Sequence, residues 1–133
     1  MAKLLIVAAC ALIDGDGRVL LARRPKGKEW AGLWEFPGVK LYDRETPEGA
    51  LVRELKEELG IDVETACLAP IAFSSTSSAE FHLLMPLYAC RKWKGAAQPL
   101  EADALAWVRA ADFQRYEMPP ADRPLAAQLR DIL

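Results

Sequence analysis

Glu54, Glu57 and Glu58 stand at spacings of three and four residues, so a helix gathers their carboxylates on one face about a turn long. Like charges at that spacing repel by roughly a few tenths of a kcal/mol per pair. They also fall in the second half of the predicted helix, where the macrodipole disfavours anions. A hard cation held between them relieves both penalties, and carboxylate oxygens suit Mg²⁺ or Mn²⁺. Without a cation, the same residues make a solvated acidic face, partly neutralised by Arg53 and Lys56. Arg24 and Lys40, upstream of the trio, add the positive charge that suits a polyphosphate carried by such a cation.

A helix must carry those carboxylates, and its ends are marked. Thr46 is placed to cap it, Pro47 suits its first position, and Gly60 falls just past the last periodic residue. Leu51, Leu55 and Leu59 recur every fourth residue, widened by Val52, so another face seeks a core. Upstream, Leu4 to Ile13 reads as a strand, Asp14-Gly15-Asp16-Gly17 as a turn and Arg18 to Arg24 as a returning strand, together a hairpin. The Asp-Gly-Asp-Gly run lacks the remaining ligands of a calcium loop, its terminal Glu included, which argues against that role.

Downstream, Asp62 to Phe73 and Phe81 to Trp93 have strand character, and the Ser/Thr-rich segment between them is predicted as a flexible loop. Pro86 points to an edge strand or a bulge. His82, the sole histidine, reads as a strand residue rather than a general base, since nothing nearby in sequence orients it. Leu105 to Val108 makes a short strand and Ala110 to Phe113 a helical turn. Leu125 to Arg130 forms an amphipathic terminal helix, with Asp122 well placed as its cap. Trp30 and Trp34 are read as core or rim packing.

With 133 residues, about half of them hydrophobic, the chain is read as one domain, residues 1–133, with a substantial core. A net charge of −2 gives no sign of a polyanion-coating surface, so no direct nucleic-acid partner is expected. No apolar run reaches the ~18 residues of a membrane span. The N-terminal LLIVAACALI lacks the leader and cleavage pattern of a signal peptide and reads as a buried strand. Cys10, Cys67 and Cys90, scattered in apolar stretches, read as free thiols in a reducing compartment, and a cytoplasmic location is expected.

The acidic trio belongs to a longer framework: Glu45, seven residues, then Arg53-Glu54-Leu55-Lys56-Glu57-Glu58-Leu59-Gly60-Ile61. This resembles the Nudix box of the Nudix hydrolases, G-x5-E-x7-R-E-U-x-E-E-x-G-U with U aliphatic, and matches every specified position from Glu45 onward. The opening departs, because Val39 stands where the box has its first Gly. In the MutT-like branch the loop commonly reads FPGGK, an aliphatic residue, then E-x-G-E. Here Tyr42 replaces that Glu and Arg44 that Gly. A β-branched valine resists the positive φ or close backbone approach for which glycine is usually chosen. The resemblance runs from the first strand to Pro119-Pro120-Ala121-Asp122.

Such a resemblance implies an α/β fold, the Nudix α/β/α sandwich with a mixed β-sheet between the box helix and the terminal helix. It implies Glu54, Glu57 and Glu58 as metal ligands, joined by the Gly38 carbonyl and Glu101, with Mg²⁺ as cofactor and Mn²⁺ as a substitute. Glu54 or Glu101 would act as general base. Glu45 and Arg53 would orient the cluster through an ion pair. Arg24 and Lys40 would meet substrate phosphates, and Asp122 the base edge. The implied reaction hydrolyses a nucleoside triphosphate to the monophosphate and pyrophosphate, with oxidised purine nucleotides such as 8-oxo-dGTP as substrates. Relatives sharing Ala-Gly-Leu-Trp-Glu-Phe and Pro-Ala-Asp act instead on CTP and 5-methyl-dCTP. Val39, Tyr42 and Arg44 motivate a third reading, a nucleotide-binding module with weakened catalysis. A diphosphohydrolase for nucleotide sugars or dinucleotides is a further option, disfavoured by the short chain. Nudix proteins occur as monomers and as homodimers, and the chain is compatible with either.

Overall fold

The computed structural model describes residues 3–133. Two sheets that share the core lie between two helices. Strand β1 (Lys3–Leu12) pairs in parallel with β6 (Phe81–Cys90) and antiparallel with β4 (Gly38–Lys40), while β5 (Ala69–Ser77) closes the other edge. That four-stranded sheet is mixed, as expected. A second, antiparallel sheet joins β3 (Trp34–Glu35), β2 (Val19–Arg23) and β7 (Ala104–Val108). Helix α1 (Pro47–Leu59) covers one face and α2 (Asp122–Ile132) the other, giving the α/β/α sandwich.

The uninterrupted apolar run in β1 follows from being covered on both sides. Ala8, Cys10 and Leu12 face α1 with Leu51, Leu55 and Leu59, whereas Ala9 and Ala11 face α2 with Leu125 and Leu129. Each fully buried leucine contributes roughly 1.5–3 kcal/mol relative to exposure. Among the described residues, no helix is long and apolar enough to cross a membrane. Cys10 and Cys90 are buried free thiols, and Cys67 is half-buried.

Several local expectations are corrected. Strands β1 and β2 form a hairpin only at its base, where Ile13 bridges Val19 and the Asp14 carboxylate accepts from the Asp16 and Arg18 N–H groups. Beyond that bridge the two strands pair in different sheets. The stretch after α1 is not all strand: a 3-10 turn at Thr65–Cys67 precedes β5. Most of the serine-rich segment is strand rather than loop, because β5 runs through Ser77. There Ser74 Oγ donates to the Ala121 carbonyl. The hydroxyls of Ser75 and Ser77 bracket the His82 ring at 2.7 and 2.6 Å. Cross-strand partners, invisible to a reading along the chain, orient that histidine.

Pro86 lies in a central strand, neither at an edge nor in a bulge. The β1–β6 ladder breaks across Met85 and Pro86 and resumes in the same register, at Ala9 and Leu87. The missing N–H interrupts the ladder without shifting the pairing. Asp122 is not the cap of α2 but its first residue, with Ala121 ahead of it and no side-chain cap. Its carboxylate is instead buried against β3. Trp34 packs edge-on against Tyr116 at 5.3 Å, whereas Trp30 lies 46% exposed and does not pack in the core.

Candidate active site

Helix α1 is held at both ends as its sequence dictates. Thr46 Oγ1 accepts from the Gly49 N–H at 3.0 Å, Pro47 occupies the first turn, and Gly60 adopts φ 72° to end it. Leu51, Leu55 and Leu59 anchor the helix on the sheet, which turns Glu54 and Glu58 toward the neighbouring loop. That loop docks on carbonyls at the helix C-terminus that would otherwise lack partners. The Leu100 N–H donates to Glu58 O at 3.1 Å, and the Gln98 N–H to Leu59 O at 3.0 Å. Its far end is tied to β2: the Asp103 N–H donates to Arg23 O, and Arg23 Nε donates to Asp103 Oδ1 at 2.6 Å. Glu101, between these anchors, is thereby brought to the helix.

The result is a cluster in which carboxylate oxygens of Glu54, Glu58 and Glu101 all lie within 4.8 Å of one another. Burial, together with a hydrogen bond and charge from Glu54 and the charges of Glu101 and Glu35, pushes Glu58 up to about 9. Three hard oxygen donors crowded this closely fit a divalent cation such as Mg²⁺. Glu57 is not among the three. Its side chain is 55% exposed and faces Arg53 at 3.8 Å.

Arg53 is the hub beside the cluster. Its Nε and Nη2 donate to the two oxygens of Glu45 at 3.0 Å each, and Nη1 donates to Glu54 at 3.3 Å. Hydrogen bonds from Arg53 and from the Tyr42 N–H hold Glu45 below the usual carboxylate range. The anticipated Glu45–Arg53 ion pair is therefore present.

A cleft joins the cluster to the end of β2, lined by Arg24, Lys28, Glu35, Pro37, Gly38, Glu58 and Glu101 among others. Arg24 Nη1 donates to both Glu35 oxygens, at 3.0 and 2.9 Å, and Nε donates to Glu29 O at 2.6 Å. Burial raises Glu35 above the ordinary range, and Arg24 counters it. Gly38 needs its glycine, since a Cβ would sit 2.9 Å from Ala8 O. Lys40 lies one strand period beyond Gly38, about 7 Å along β4, exposed and outside the cleft lining.

Asp122 is 4% exposed, and its Oδ2 accepts from the Phe36 N–H at 3.1 Å. Burial first, then the Glu35 charge, push it up to about 7, while the Phe36 N–H and Arg24 oppose the rise. Lys28 and Glu35 were not among the residues singled out from sequence. Glu35 did carry a signal, being a lone acid between the bulky apolar residues Trp34 and Phe36.

The departures of the loop each have a local place in the fold. Val39 lies in strand β4, half-buried against the α1-side core. Arg44, in the place of the pattern's second Gly, takes a positive φ of 67°. Arg44 is the third residue of a turn closed by the Glu45 N–H donating to Tyr42 O at 3.1 Å.

Residues 8–128 match the family model of the NUDIX domain. The chain belongs to the Nudix family. Within it the relatives are MutT-like, and the chain is a hydrolase of phosphoric anhydrides. It is 37% identical over 121 residues to a CTP pyrophosphohydrolase of Escherichia coli (strain K12), covering 91% of this chain and 88% of that one. An 8-oxo-dGTP diphosphatase of Proteus vulgaris is 41% identical over 95 residues, covering 69% of this chain and 80% of the other. The solution structure of the E. coli ORF135 protein superposes with a TM-score of 0.86 at 32% identity, covering 98% of this chain and 91% of that one.

Proposed function

We propose that this Nudix hydrolase cleaves oxidised purine nucleoside triphosphates such as 8-oxo-dGTP, in a Mg²⁺-dependent reaction, to the monophosphate and pyrophosphate. The general activity, Nudix-type pyrophosphohydrolysis of a nucleoside triphosphate, is supported by the MutT-like relatives. The observation that carries the reading is the meeting of Glu54, Glu58 and Glu101 beside a cleft lined by Arg24 and Lys28. Mg²⁺ bound there would neutralise phosphate charge and make a nearby water more acidic.

The chain's own residues then divide the remaining tasks. Arg24, fixed by Glu35 and the Glu29 carbonyl, presents a planar cation for phosphate oxygens, and Lys28 adds a mobile one. Glu54 or Glu101 accepts the proton of the attacking water. Arg53 and Glu45 keep Glu54 in place, a supporting task with no contact to substrate. Asp122 reads the base: protonated it donates a hydrogen bond, ionised it accepts one, and its titration near neutrality allows both.

A second reading, CTP and 5-methyl-dCTP as substrates, is favoured by the CTP pyrophosphohydrolase relative, whose match spans most of both chains. A nucleotide panel assayed with Mg²⁺ separates the two. The purine reading predicts the highest kcat/KM for 8-oxo-dGTP. A preference of about tenfold or more for cytidine nucleotides, the ratio expected from ~1.4 kcal/mol of differential transition-state binding, overturns it. Ready turnover of any nucleotide disposes of the binding-module reading that Val39, Tyr42 and Arg44 motivated.

A further inference from the structure

Tyr42 is 65% exposed, so burial does not account for where its ring lies. The ring instead covers the Arg53 guanidinium, whose carbon is 4.2 Å from the ring centroid. The same residue also serves Arg53's partner, because the Tyr42 N–H donates to Glu45 Oε1 at 2.8 Å. The turn that delivers the ring is closed from Glu45 back to Tyr42 and is held with Arg44 at positive φ. Arg53 is thus gripped in its plane by Glu45 and across its face by Tyr42, while its remaining nitrogen reaches Glu54. A guanidinium stacked on an aromatic face and forked to a carboxylate loses most of its rotational freedom.

We propose that Tyr42 is a positioning residue for the active site, clamping the Arg53 guanidinium so that Glu54 is held in the geometry that binds the divalent cation. The proposal rests on the metal-dependent hydrolysis argued above. It assigns a role to one of the residues by which this loop departs from the Nudix pattern. The ring, not the hydroxyl, carries that role, since the contact is made by the aromatic face.

Tyr42→Ala and Tyr42→Phe test it in the full chain. In the metal-free protein, NMR of the Arg53 side chain should show ring-current displacement of its Nε–H and δ protons. That displacement should persist in Tyr42→Phe and vanish in Tyr42→Ala. Mn²⁺ affinity and kcat should both fall by about two- to fivefold in the alanine variant, the scale of an exposed cation–π contact. KM should stay near the native value, and phenylalanine should restore all three readouts. The proposal is overturned if Tyr42→Ala leaves Mn²⁺ affinity native, or if phenylalanine is as damaging as alanine. Should the native protein hydrolyse no nucleotide, the proposed function fails. The NMR and Mn²⁺ readouts would still decide whether Tyr42 positions Arg53.

Discussion

Helix α1 and the stretch 38–45 that feeds it carry consecutive parts of one motif, yet they serve the site differently. In α1 the helical period and the buried leucine stripe dictate where Glu54 and Glu58 point, and the docked loop brings Glu101 to them. A different residue at Glu58 changes the site itself. In the preceding stretch, Val39 is an ordinary strand residue packed toward α1, and Arg44 takes a positive φ. Tyr42 turns its exposed ring onto Arg53. The contrast locates the chemistry in the carboxylates, with the preceding stretch supplying support to them.

The sharpest way to break that contrast is Glu58→Gln. Turnover should fall on the order of a hundred- to a thousandfold, the scale for removing a group aimed at developing charge, measured as kcat with Mg²⁺. The metal-free protein should become more stable at neutral pH. An acid raised to about 9 contributes stability that is fully present below its unfolded value and is lost as pH rises through about 9. Glutamine removes that loss, and denaturant unfolding without metal reads the difference.

Proton competition sharpens the comparison next. A cation binding Glu58 must displace its proton at any pH below about 9. Mn²⁺ affinity of the native protein should therefore rise with pH, by up to about tenfold per unit, and Glu58→Gln should flatten that slope. Calorimetric titration across the neutral range checks it.

The loop variants should have smaller effects, of opposite sign. Val39→Gly strips a half-buried side chain from a strand and should cost about 1–2 kcal/mol of unfolding free energy. Arg44→Gly relieves a left-handed residue and should add about 1 kcal/mol. Both should keep kcat within about twofold, since neither side chain is among the residues lining the cleft. A tenfold gain in turnover from Val39→Gly would mean that the loop, not the helix, limits catalysis.

What could be read along the chain was what depends on near neighbours. The Thr46 cap, the Gly60 stop, the leucine stripe and the Glu45–Arg53 pairing all follow from spacing within one helix and its lead-in, and all are present. The features missed depend on contacts across the fold. Nothing local says that β1 and β2 part into different sheets, that Ser75 and Ser77 bracket His82, or that Asp122 turns from capping α2 to meet the Phe36 N–H. Periodicity places Glu57 and Glu58 alike, and burial distinguishes them: Glu57 is exposed and faces Arg53, whereas Glu58 faces Glu101.

The central claim is that Glu54, Glu58 and Glu101 together capture a divalent cation. Electron paramagnetic resonance of Mn²⁺ titrated into the protein with nucleotide present tests it most directly. The account predicts a saturable site in the native chain that is markedly weakened in Glu58→Gln and Glu101→Gln. Native-like binding in both variants, or no bound Mn²⁺ in the native chain, would contradict it.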